Sequence, residues 1–113
     1  MKFMIMSFEN EKDFEARTDN EQKAKYWTDW RGYFNAVREA GILSYPGNIL
    51  QSGATAHTVK NEELINGSQI SAKAQLSGYW IIDVSDFDQA VEWSKRCPAI
   101  ANGSVEIRPI FEP

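Results

Sequence analysis

The stretch from Gly78 to Pro109, GYWIIDVSDFDQAVEWSKRCPAIANGSVEIRP, constrains the fold more than any other part of the chain. Tyr79-Trp80-Ile81-Ile82-Asp83-Val84 is a near-continuous aromatic and β-branched run, the composition of a strand buried on both faces. Ser85 offers an N-cap hydroxyl, and Asp86 and Asp88 place negative charge at the positive end of a helix dipole. Phe87, Ala90, Val91, Ser94 and Cys97 recur every three or four residues, which predicts one buried helical stripe with Trp93 at its edge. Lys95 and Arg96 fall in the last turn, and Pro98 stops the helix. Asn102-Gly103 turns the chain. Val105, Ile107 and Pro109 then alternate with Glu106 and Arg108, a strand with one apolar and one charged face.

The remaining segments can be arranged around this strand–helix–strand unit. Phe3 to Phe8 reads as a strand, apolar on both faces except at Ser7, and so central in its sheet. Glu9 to Arg17 is polar and reads as a loop or irregular turn. Thr18-Asp19-Asn20-Glu21 fits a capping box, which predicts a helix starting there. Tyr26, Trp27, Trp30, Tyr33, Phe34 and Val37 give that helix a broad aromatic stripe, and Gly41 is placed to end it in a left-handed conformation. Tyr45-Pro46-Gly47-Asn48 is a turn signal. Residues 49–77 alternate in two arms: Leu50, Ala54 and Ala56 against Gln51, Thr55, His57 and Val59, then Ile70, Ala72, Ala74 and Leu76 against Gln69, Ser71, Lys73 and Gln75. Asn66-Gly67 between them is a strong turn dipeptide.

The order is thus strand, helix, strand, strand, helix, strand. This is the α+β, ferredoxin-like βαββαβ pattern, with a four-stranded antiparallel sheet carrying both helices on one face. The 113 residues suffice for one domain spanning 1–113 and leave no room for a second. The open sheet face, bearing apolar residues, needs a cover, and a second copy of the chain is the expected one.

Charge and cysteine content narrow the function classes. A net charge of −4 and a pI near 5.0 argue against a nucleic-acid module built on a basic surface. A single cysteine cannot form an internal disulfide, which fits a reducing compartment. The apolar start, Met1 to Met6, is too short for a signal-peptide core, and no run reaches membrane-spanning length. A cytoplasmic protein without membrane association is expected. One His and one Cys cannot build a conventional zinc site, and neither a phosphate-binding glycine loop nor a G-x-S-x-G elbow occurs. No metal and no cofactor are expected.

Several segments resemble the YCII-related family, and within it the DGPF-type branch. They are Gly78–Val84, Asp86–Trp93, Cys97-Pro98-Ala99 and the ending Gly103-Ser104-Val105-Glu106-Ile107-Arg108-Pro109, which carries the most specific likeness. Met1-Lys2-Phe3-Met4 and Thr58-Val59-Lys60 are also similar. The resemblance implies a dimeric α+β barrel, two ferredoxin-like sheets packed face to face, and an activity mostly unassigned, with some related members acting on small aromatic compounds. The chain departs from the branch at its D-G-P-F signature, which falls on Asn66-Gly67-Ser68-Gln69. The acidic and basic residues that follow the signature fall on Ser71, Lys73 and Ala74, where only the lysine is kept. A histidine found near the start of the first helix in some members is replaced by Asp29.

Candidate site residues follow from both readings. His57, the sole histidine, would serve as a general base near neutral pH; the plainer alternative is an exposed strand histidine. Asp29, between Trp27 and Trp30, is the second candidate base, and with Lys73 and Tyr33 would line a pocket. Glu106 and Arg108 share a strand face, which suits binding of a polar small molecule with Arg108 clamping an anion; an ion pair between them or across a dimer seam is the alternative. Asp83 reads as a buried acid or a strand-end cap. The aromatic face of Trp27 and Trp30 suits an aromatic ligand, with plain helix packing as its rival. Cys97, at a helix C-terminus where the dipole opposes a thiolate, reads as structural. Together these give a small-molecule-binding protein with cofactor-free acid–base chemistry, or a non-catalytic ligand-sensing or accessory dimer.

Overall fold

The computed structural model describes all residues 1–113. The chain runs β1 (Lys2–Glu9), α1 (Glu11–Ala16), α2 (Lys23–Glu39), β2 (Leu43–Ile49), β3 (His57–Lys60), β4 (Glu63–Asn66), β5 (Gln75–Asp83), α3 (Phe87–Lys95) and β6 (Ser104–Pro109). Four strands form one antiparallel sheet in the order β2-β5-β1-β6, and β3 and β4 form a separate hairpin. β1 and β5 are therefore the central pair, and the α+β, ferredoxin-like arrangement is as the sequence indicates. The molecule is 19 Å thick along its shortest axis, the depth of one sheet plus one helical layer.

The core lies between that sheet and α2 with α3. Phe3 and Ile5 from β1, Trp80 and Ile82 from β5, Trp30, Tyr33 and Val37 from α2, and Ala90 from α3 are all buried in it. The aromatic stripe of α2 meets Trp80 directly. Ring centroids of Trp30, Tyr33 and Phe34 lie 5.8, 5.7 and 5.1 Å from it, all at steep angles, the edge-to-face geometry favoured by ring quadrupoles. Gly41 ends α2 at φ +72°. No helix is long and apolar enough to cross a membrane.

Local details differ from the sequence reading, each for a physical reason. Glu9 belongs to β1, and Glu11–Ala16 is a helix capped by Asn10, whose side chain accepts from Asp13 N at 2.9 Å. Asp19, not a Thr18 box, gathers the amides of Glu21 and Gln22 at 3.0 Å each in a turn, so α2 starts at Lys23. The cap of α3 is Asp86 rather than Ser85, accepting from Gln89 N at 2.9 Å. Residues Asn61 and Glu62, both at positive φ, turn the β3–β4 hairpin; Asn66-Gly67 follows it. Bends occupy most of the second arm, and β5 begins only at Gln75.

The Pro46-Gly47 turn signal is a bulge inside β2, where the register with β5 shifts twice. Gly47 sits at φ +68°, and a Cβ there would lie 1.6 Å from Tyr79 O, so only glycine lets β2 close onto β5. A second irregularity lies in the central pair. Ser7 pairs with Gly78, but Phe8 pairs with Leu76 and Glu9 with Gln75. Ser77 is the extra residue. Paired residues share a sheet face, so the bulge brings Ser77 and Gln75 round to the helix side beside Ser7 and Glu9, where all four are buried.

Candidate functional site

Towards its C-terminal end the helix face of β1 changes from Phe3 and Ile5 to Ser7 and Glu9. Burying a carboxylate under a helix is costly unless its oxygens are paired. Here the pairing comes from two elements. Tyr26, in the first turns of α2, donates its hydroxyl to Glu9 Oε1 and Oε2 at 3.0 and 3.1 Å. Arg17, just past α1, places Nη2 3.9 Å from Glu9 Oε1 and donates Nε to the Tyr26 hydroxyl at 3.1 Å. It also donates Nη1 to Leu50 O and Nη2 to Ser77 O, the latter at 3.1 Å. The guanidinium lies 4.2 Å from the Phe14 ring centroid, a contact that locks its plane. Trp27 Nε1 donates to Arg17 O at 3.0 Å, and the Ser7 and Ser77 hydroxyls are 2.7 Å apart beside the network.

Titration behaviour follows from this setting. Burial pushes the Glu9 carboxyl above its ordinary range; the hydroxyls and Arg17 oppose the shift without cancelling it, and Asp13 adds to it. Burial likewise pushes the Tyr26 phenol up to about 12 and the Cys97 thiol up to about 12. Tyr26 is thus a fixed donor, Cys97 an inert core thiol, and Glu9 a buried acid whose charge state depends on its neighbours.

Glu9, Arg17 and Tyr26 sit on the wall of a cavity of about 310 Å³ between α2 and the sheet. Trp27, Trp30, Phe34 and Trp80 give it aromatic surface, and Asn48 and Arg38 give it further polar groups. Trp80 Nε1 is buried without a hydrogen-bond partner. Glu9, Tyr26 and Trp30 also line a second cleft, with Asp13, Glu21, Lys25 and Asp29 on its other walls. Glu9 can therefore be approached from two sides. No three His, Cys, Asp or Glu side chains converge to hold a metal ion.

The residues singled out from sequence are scattered by comparison. Trp30 lines the aromatic cavity. Asp29 lines the neighbouring cleft and pairs with Lys25 at 2.6 Å. His57 is exposed on the β3–β4 hairpin, and Lys73 is exposed in the bends before β5. Glu106 and Arg108 pair with each other at 3.2 Å on β6. Opposite them on β1 stand Met6 and Met4, so both charges lie on the sheet face away from the helices. Asp83 lies at the strand end, 3.1 Å from the Met1 amine. Within one chain the structure brings Asp29 and Trp30 close to Glu9 but gathers none of the others there. Glu9, Arg17, Ser7 and Ser77 escaped the sequence reading. The available signal was Ser7 and Glu9, two apart at the end of an otherwise apolar strand.

Comparison with known proteins agrees with this architecture. The YCII-related domain family matches residues 1–113. The chain belongs to the YCII-related family. Among curated proteins, none matches it. A solved structure of similar fold is 5-chloro-2-hydroxyhydroquinone dehydrochlorinase (TftG) from Burkholderia phenoliruptrix AC1100, in complex with 2,5-dihydroxybenzoquinone. It is 12% identical, superimposes with a TM-score of 0.57, and the alignment covers 100% of this chain and 96% of the other. At that identity the likeness is one of fold.

Proposed function

We propose that this YCII-related protein binds a small polar or aromatic molecule in the α2–sheet cavity and moves a proton on it through Glu9, without a cofactor. The observation that carries this reading is a buried carboxyl of raised pKa on the wall of an aromatic cavity. General acid–base catalysis needs a titratable group within reach of the ligand, its pKa displaced towards the working pH. Tyr26 and Arg17 orient it, and the second cleft, with Asp29, gives it a route to exchange its proton while the first cavity is filled. The ligand of the dehydrochlorinase supports an oxygenated ring as the first compound to try. Titrating 2,5-dihydroxybenzoquinone should quench tryptophan fluorescence saturably. Trp30→Leu should weaken binding roughly tenfold, the effect of losing one good stacking contact. Glu9→Gln should keep binding and lose any turnover. Unsaturable quenching, or identical behaviour in both variants, would remove the proposal. A non-catalytic ligand sensor is the second reading. It is favoured by the closed Arg17–Tyr26–Glu9 network, and binding without turnover across a panel of oxygenated rings would select it.

We also infer a homodimer through the outer sheet face. Met4, Met6, Phe8, Tyr79 and Ile81 are only half-buried there, and a sheet face of that composition calls for a second layer. In such a dimer Glu106 and Arg108 would face the partner, and His57 on its hairpin would be free to reach it. Light scattering should give a dimer mass at micromolar concentration. A cytoplasmic location, with neither membrane nor nucleic-acid partners, remains the reading supported by the acidic charge and the single inert thiol.

A further inference from the structure

We propose that the α2–sheet cavity selects anionic one-ring ligands and that Arg38 confers this selection. The inference rests on the reading of the cavity as a small-molecule site. Its starting point is charge. The chain as a whole carries −4, yet the cavity wall holds two arginines, Arg17 and Arg38, against one acid, Glu9. The adjoining cleft has the opposite balance, with Glu9, Asp13, Glu21 and Asp29 against Lys25 alone. A concave, partly apolar site concentrates the field of the charges on its wall. An anion is therefore favoured in the first cavity and repelled from the second.

The two arginines are not equivalent. Arg17 has its donors committed to Tyr26, Leu50 O and Ser77 O and its charge set against Glu9, so it is part of the wall. Arg38 takes part in none of the chain's five ion pairs. Its guanidinium lies 5.9 Å from the Phe34 ring centroid, and Phe34 lines the same cavity. The ring thus holds a free planar donor fork at the cavity, the geometry that recognises a carboxylate. A volume of about 310 Å³ lies at the small end for ligand sites and, walled by Trp27, Trp30 and Phe34, suits one planar ring.

Three size-matched probes separate the outcomes: benzoate, benzyl alcohol and benzylammonium, titrated into the intact protein while the Trp27 and Trp30 indole N–H resonances are followed. Benzoate should bind roughly tenfold tighter than benzyl alcohol, the ratio expected of one charge-assisted contact, and benzylammonium most weakly. Arg38→Gln should bring benzoate down to the level of benzyl alcohol and leave the alcohol unchanged. Arg38→Lys, which keeps the charge but not the fork, should retain part of the preference. Equal binding of benzoate and benzyl alcohol, or a preference that survives in Arg38→Gln, overturns the assignment while leaving the cavity itself a ligand site. Failure of all three probes to shift either indole overturns both.

Discussion

The two faces of the central sheet are built from alternate residues of the same strands, and they carry their charges differently. On the helix face Glu9 is buried among Tyr26, Arg17, Ser7 and Ser77 on a cavity wall. On the outer face Glu106 and Arg108 pair only with each other, with side chains 49% and 68% exposed. The difference teaches that position relative to the helical layer, not residue type, decides which acid can do chemistry. The exposed pair keeps its water, whereas the buried acid loses water and depends on neighbours for its charge state.

Substitutions can break or sharpen this contrast. The largest effect belongs to Trp80→Ala, which empties the contact point of Trp30, Tyr33 and Phe34 and should cost about 3–5 kcal/mol in urea unfolding. Met6→Ala on the outer face should cost about 1 kcal/mol in dilute solution. If a second copy covers that face, the penalty grows with protein concentration; equal losses for the two variants at high dilution would erase the distinction between the faces.

Arg17→Met comes next. It removes the cation beside Glu9 and the side-chain donor to Leu50 O, while Ser77 O keeps the Leu50 amide, and a loss of about 3 kcal/mol is expected. A loss indistinguishable from that of an exposed arginine would show that the network carries little of the fold.

A pH series tests Glu9 itself. Its folded pKa is raised above the ordinary 4.5, so the folded state holds the proton more tightly than the unfolded one. That contribution is complete below the ordinary value and is lost as pH climbs through the folded one. Wild-type stability should therefore fall relative to Glu9→Gln over that window in paired unfolding curves, and parallel curves would refute the shift. Asp29→Asn and Arg108→Gln, which break exposed pairs, should each stay within about 0.5 kcal/mol under monomeric conditions.

The sequence made the scaffold legible because its signals are local and periodic. Tyr79–Val84, the stripe of α3, the alternation of β6 and the aromatic face of α2 each declare themselves within a few turns or pleats. The candidate site was less legible because it depends on long-range closure. Arg17 reaches Ser77 across sixty positions of chain, and no spacing rule announces such a contact. Asn10 caps α1 with no flanking signal in the polar run, so Glu9 reads as the start of a loop when it is the last inward residue of β1. Trp30 is legible because it rides on the aromatic stripe of α2, and Asp29 because the family resemblance points to its position beside that stripe. His57, Lys73 and Arg108 stand on alternating arms or strands, and alternation alone does not say which face a helical layer covers.

The extra residue opposite Ser7 gives the site an unusual tolerance of a one-residue deletion. Side chains in a strand are read in alternation, so Ser77 works as a phase shift between the outward Tyr79 and Ile81 and the inward Gln75. Removing one residue there, for instance Gly78, would restore simple alternation. Ser77 would then stand inward opposite Ser7 in place of Gly78, with Leu76 still outward and Gln75 still inward opposite Glu9. The polar wall around Glu9 is therefore set by phase within the strand as much as by residue identity: straightening the bulge with every residue kept would turn Leu76 under the helix, whereas a single deletion at the bulge should leave the wall standing.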